Sequence, residues 1–121
     1  MNLRNTEDDL RKRVEGMLEA RNNGYWDDVY DYYNKEYRDS ITKKQFMNRP
    51  RGLRFIAYDI QVIEIQPSKT QAKVTIREEV SYKGRKTKGQ ITTDWIIEEG
   101  RWVQKIDPKR QMNPIVSPEN K

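Results

Sequence analysis

The chain contains no cysteine and no histidine. The first absence excludes disulfides and thiolate metal sites. The second removes the commonest general base and metal ligand at neutral pH. No motif asks for a metal or a cofactor. No apolar run is long enough to cross a bilayer as a helix, so no membrane span is read. No signal-peptide pattern is visible, and the compartment stays open between cytoplasmic and, if a leader has been removed, exported. Hydrophobic residues are scarce as well, at 34% against 36% charged, a balance that by itself suits a disordered chain. Two features argue for folding: aromatics reach 10%, and apolar positions recur with regular periods. A length of 121 residues fits one domain with a modest core. That domain is read over residues 1–107. Residues 108–121, with Pro108, Pro114 and Pro118 and little periodicity, read as a loose C-terminal tail.

The front of the chain has helical rhythm. Thr6 followed by Glu7, Asp8 and Asp9 reads as a capped helix start. Leu10, Val14, Met17 and Leu18 then form one apolar stripe, which Asn22-Asn23-Gly24 stops. Trp26, Val29, Tyr30 and Tyr33, extended by Tyr37, predict a second helix. Thr42-Lys43-Lys44-Gln45 predicts a capping box that opens a short third helix, with Phe46 and Met47 buried and the end at Asn48-Arg49-Pro50-Arg51-Gly52. From Leu53 the period becomes two. Ile56, Tyr58, Ile60 and Val62 alternate, and Ile63 and Ile65 then shift parity, which predicts a β-bulge. After a turn at Pro67-Ser68-Lys69, Ala72, Val74, Ile76, Val80 and Tyr82 alternate. Lys83 to Gly89 reads as a polar connection, followed by Ile91, Thr93, Trp95 and Ile97. Glu98-Glu99-Gly100-Arg101 reads as a tight hairpin, after which Trp102 and Ile106 finish the sheet. Helices followed by hairpin-linked strands predict an α+β fold, with N-terminal helices packed on a strongly curved antiparallel sheet.

The segment Trp26-Asp-Asp-Val-Tyr30-Asp-Tyr-Tyr33 is followed by Tyr37 and by Ile41-Thr42-Lys-Lys-Gln45-Phe46, and Trp95-Ile-Ile-Glu-Glu-Gly100-Arg-Trp102 comes near the end. Together they resemble the nuclear transport factor 2-like superfamily, also called the cystatin-like cone. The resemblance covers roughly residues 6 to 107 and is nearest to bacterial domains of unknown function and to the N-terminal extension of some penicillin-binding proteins. It implies a cone-shaped half-barrel whose helices close one side of a central cavity. Members range from isomerases and dehydratases to transport, dimerisation and accessory domains, so the fold does not fix the function. The superfamily's enzymes use histidine–carboxylate or tyrosine–carboxylate sets in the cone. The first set has no counterpart here, and no catalytic residue of the family transfers.

Four features carry candidate chemistry. If the helix stripe meets the concave strand face, Trp26, Tyr30, Tyr33, Phe46, Tyr58, Tyr82, Trp95 and Trp102 gather in a ligand pocket. The competing reading, favoured in so thin a core, is that these rings simply fill it. Glu78 shares the parity of Val74 and Ile76 and so points into the cone, where a carboxylate can serve as a general base. Its plain alternative is a solvated or cation-paired acid at the mouth. The basic residues Lys43, Lys44, Arg49, Arg51 and Arg54, with Lys83, Arg85, Lys86 and Lys88, suit phosphates. No nucleic-acid motif accompanies them, and a solvated face is the better reading. The convex face carries polar residues from Gln71 to Ser81 and from Gln90 to Asp94, with Ile63, Ile65, Ile96 and Val103 as an off-pattern apolar patch, which predicts a monomer or a weak homodimer. The chain is read as non-catalytic, binding a small molecule or a partner protein in or around its cone. The alternatives are a small isomerase, dehydratase or hydrolase using Glu78 with tyrosines, or an accessory or dimerisation module with a filled core.

Overall fold

The computed structural model describes residues 6–48 and 52–107. The side chain of Thr6, the Arg49-Pro50-Arg51 segment and the 108–121 tail lie outside the described residues.

Helix α1 (Thr6–Asn22) opens with Glu7, Asp8 and Asp9 in its first turn and closes with Arg21 in its last, matching the helix dipole at both ends. Leu10, Val14, Met17 and Leu18 are all buried on one side of it. Two short helices follow, α2 (Trp26–Tyr30) and α3 (Lys35–Ser40), then α4 (Lys43–Met47). The single helix expected from Trp26 to Tyr37 is therefore broken in two. The break frees residues 32–34 to close the edge of the last strand: the Gln104 N–H donates to the Tyr32 carbonyl at 2.8 Å and the Asn34 N–H to the Gln104 carbonyl at 2.9 Å. Tyr33 forms a parallel bridge to Gln104, and the buried Asn34 accepts the Ile106 N–H at Oδ1. A continuous helix would leave those buried backbone groups unpaired. The capping box at α4 forms as expected, with Gln45 N–H on Thr42 Oγ1 and Thr42 N–H on Gln45 Oε1. Phe46 is buried, whereas Met47 is 48% exposed, because adjacent residues on one helical turn cannot share a face.

Strands β1 (Leu53–Ile65), β2 (Gln71–Tyr82), β3 (Arg85–Glu98) and β4 (Arg101–Lys105) form one antiparallel sheet in the order β1-β2-β3-β4. Strand β1 carries two register shifts, between Phe55 and Ala57 and between Ile60 and Val62. Each extra residue bends and twists the strand, giving the sheet its curvature. The shifts also reset which residues face the helices. Leu53 and Phe55 face inward, then Tyr58, opposite Glu78, and Ile60, and after the second shift Ile63 and Ile65. Ile56 and Val62, which alternate with Tyr58 and Ile60 in sequence, are 41% and 53% exposed. The apolar patch expected on the outer face does not form: Ile63 and Ile65 pack on the core, and Val103, paired with Ile96, is only 2% exposed.

The polar stretch after Tyr82 is not a loop. Lys83 and Gly84 alone make the turn, with φ of 52° and 83°, the left-handed pair that a two-residue hairpin requires. Arg85 to Gly89 belong to β3. Their polarity reflects a strand exposed on both faces. Glu99-Gly100 repeats the same turn between β3 and β4.

Candidate functional site

The concave face of the sheet and the helices meet around Trp95, which is completely buried and surrounded by Met17, Leu18, Val74 and Ile76 in one core cluster. Its indole N–H donates to Thr93 Oγ1 at 2.9 Å, and the Thr93 hydroxyl donates to the Val74 carbonyl at 3.0 Å, so a short chain of hydrogen bonds satisfies the one polar atom this ring brings inside. Trp102 is buried beside it, and its carbonyl accepts Arg13 Nε. Phe46, from α4, is the hub of an aromatic cluster. Trp26, Tyr30, Tyr33 and Tyr37 contact it edge-on or tilted, at centroid distances between 5.4 and 6.5 Å, the geometry that ring quadrupoles favour. The Tyr30 hydroxyl lies 2.7 Å from both the Arg38 and the Ile41 carbonyls and shares its proton between them. It thereby ties α2 to α3 and to the loop beyond.

Glu78 stands at the mouth of the cone. It is 8% exposed, and its Oε1 lies 2.5 Å from Arg21 Nη2. The Arg21 guanidinium stacks on Phe55, 3.8 Å from the ring centroid, so the ion pair is roofed by an aromatic face. Arg21 Nε and Asn22 Oδ1 remain buried without a hydrogen-bond partner. Tyr58, facing Glu78 across the strands, does not hydrogen-bond to it. Its hydroxyl donates instead to Glu19 at 3.1 Å, and burial, helped by that carboxylate, raises the Tyr58 pKa above its ordinary value. Tyr82 lies at the far end, packed with Leu53, Phe55 and Val80 in a second small cluster and overlain by Lys83.

The nine sequence candidates, eight rings and Glu78, thus fall in three places. Trp26, Tyr30, Tyr33, Phe46, Trp95 and Trp102 pack in or against the main core. Glu78 is bound to Arg21 at the mouth. Tyr58 faces Glu78 from β1 and packs against the main core with its hydroxyl on Glu19, and Tyr82 lies four residues further along β2 in the second cluster. Two surface depressions lie elsewhere. One of about 420 Å³ runs along α1 between Arg13, Gly16, Glu19, Tyr25, Asp28 and Tyr32. Another of about 330 Å³ is walled by Asp9, Lys12, Arg13, Ile97, Arg101 and Trp102. Of the nine, only Trp102 borders either. Sequence reasoning overlooked Arg21 and Arg13, although both carried a signal. Each lies three or four residues from members of the apolar stripe of α1, where a cation must find an internal partner. Arg13 finds the Trp102 carbonyl and the Tyr32 ring, 4.2 Å below its guanidinium, and burial lowers its pKa.

The architecture is that of a cone-shaped α+β domain, with helices closing one face of a bent antiparallel sheet. Solved structures share it. A crystal structure of an NTF-2-like protein of unknown function from Shewanella oneidensis MR-1 superposes with a TM-score of 0.55 at 21% identity, over 81% of this chain and 93% of that one. A solution structure of a SEC-C motif-containing protein from Rhodopseudomonas palustris gives a TM-score of 0.61 at 12% identity, over 73% of this chain and 68% of that one. At these identities the likeness is one of fold. No protein-family profile matches the chain, and no curated protein matches it. Among the described residues no helix is long and apolar enough to cross a membrane.

Proposed function

We propose that the chain is a non-catalytic accessory domain that engages a partner protein through its outer surface, with its cone serving as a core. The observation that carries this reading is the occupancy of the interior: Trp95, Phe46, Trp102, Met17, Leu18 and Ile76 are all 2% exposed or less. A small-molecule site needs an open concavity lined by such rings, whereas these rings are spent on one another. The pairing of Glu78 with Arg21 supports the same conclusion. A general base must be free to take a proton from substrate, and this carboxylate is engaged by a guanidinium, with the Tyr58 hydroxyl turned to Glu19.

The test is a titration of the isotope-labelled chain with pooled metabolites, read at the three indole N–H signals. The expected outcome is that Trp95 and Trp102 stay unmoved by every pool. A saturable shift at Trp95 would restore the ligand-binding cone and overturn the reading.

A further inference from the structure

Resting on that partner-binding reading, we propose that the free edge of β3 is the docking site, and that its occupant is an extended acidic segment of another protein, added to the sheet as a further strand. Strand β4 pairs with β3 only from Asp94 to Glu98. From Arg85 to Thr93, β3 is paired on its β2 side alone among the described residues. At about 3.4 Å per residue this leaves an open edge of roughly 30 Å, whose outward N–H and C=O groups alternate along the strand as a template for a new one. Arg85 through Gln90 are all exposed. The register with β2 runs unbroken along the whole stretch, so no bulge turns the edge away, and no proline interrupts it. Gly89 adds room, since a Cβ built there would meet nothing within 4 Å.

Charge selects the occupant. Arg85, Lys86 and Lys88 on the strand, Lys83 in the turn and Arg77 on β2 surround the edge, and none of them forms a salt bridge among the described residues. Glu79 lies opposite Lys88 and Asp59 opposite Arg77, whereas Arg85 and Lys86 face the uncharged Tyr82 and Ser81. A second copy of the chain docked edge to edge would set these cations against their own kind, which is destabilising for directly opposed pairs. Edge lysines block such self-pairing and at the same time attract an acidic strand. A nucleic acid fits less well, because no aromatic side chain lies between Lys83 and Asp94 for a base to stack on.

The experiment uses the intact, isotope-labelled chain and a capped peptide of about nine residues that alternates glutamate with valine or threonine, long enough to cover the edge. A twin peptide is N-methylated at alternate backbone nitrogens, and a third replaces glutamate by lysine. The glutamate peptide is expected to shift the amides of residues 85–93, to weaken with salt, and to lose about tenfold or more of its affinity on N-methylation. The double variant Lys86→Glu/Lys88→Glu, on exposed positions, should favour the lysine peptide. Equal binding of the N-methylated twin, or no binding at all, overturns the edge-docking proposal and leaves the partner-binding reading standing. So do shifts confined to other surfaces. A single-stranded oligonucleotide that moves the same amides at lower concentration overturns the proposal in favour of nucleic acid. Peptide-induced shifts centred on the Trp95 indole count against both readings.

Discussion

Breaking the Arg21–Glu78 pair is the sharpest test of how the mouth of the cone is built. Removing one partner of a well-buried pair strands the other and costs about 3–5 kcal/mol. Here the side chains keep 13% and 8% exposure, and the unpartnered Arg21 Nε already weakens the intact arrangement, so a smaller figure applies. Arg21→Met keeps a flexible apolar cover on Phe55 but leaves Glu78 without its cation, for a predicted loss of about 2 kcal/mol. Glu78→Leu leaves Arg21, whose long stem can carry its charge towards water, and should cost about 1–2 kcal/mol. The double substitution replaces the pair by apolar contact and should cost only about 1 kcal/mol, which makes the coupling about 2–3 kcal/mol. Urea unfolding followed by tryptophan fluorescence measures all three, and Arg21→Met should lower Tm by roughly 8 °C. Should the two single losses prove additive to within about 0.5 kcal/mol, the pair is a solvated contact. The mouth is then wet, and Glu78 again becomes available as an acid or base.

The sequence makes local features legible and hides those that depend on distant pairing. The change of rhythm at Leu53, the Thr42–Gln45 capping box and the Glu99-Gly100 turn each rest on a few adjacent residues, and each is found in the structure. The two shifts in β1 are only half visible. Ile56, Tyr58, Ile60 and Val62 look like unbroken alternation because an apolar residue happens to occupy the first extra position, and only the second shift disturbs the pattern. The split of the second helix is illegible locally: Tyr33 fits the helical stripe and is drawn away by β4, about seventy residues later in the chain. The residues that gather around the cone were likewise readable from parity. Whether their rings leave a hollow depends on how far the sheet curves and on where Phe46 lands, and neither has a signature in spacing. The exposed half of β3 reads as a loop because a strand wet on both faces lacks the alternation by which strands are recognised.

The Tyr58 pKa gives a prediction with a definite sign. Folded Tyr58 holds its proton more tightly than the unfolded chain does, so its contribution is fully present below the ordinary tyrosine value of 10.0 and is lost as pH rises through the folded value. Tyr58→Phe should flatten that decline in an alkaline unfolding series. Thr93→Val removes the acceptor of the Trp95 indole N–H and should cost about 1–3 kcal/mol in urea unfolding. Glu99 holds φ of 52° without being glycine, so Glu99→Asn, better suited to that conformation, should stabilise the chain by about 0.5 kcal/mol in thermal melts. Gly16 sets helix propensity against packing. An alanine Cβ in the middle of α1 should gain about 1 kcal/mol on propensity alone, but at Gly16 it would come within 2.6 Å of the Tyr32 hydroxyl. That ring is held under the Arg13 guanidinium and cannot swing aside freely. Gly16→Ala is therefore expected to be destabilising in the native background and stabilising once Tyr32→Phe has removed the hydroxyl, since the next ring atom lies 3.4 Å away. The sign reversal is the content of the prediction. A Gly16→Ala variant that is stabilising in both backgrounds would mean that Tyr32 moves easily and that the depression along α1 is bounded by a loose wall.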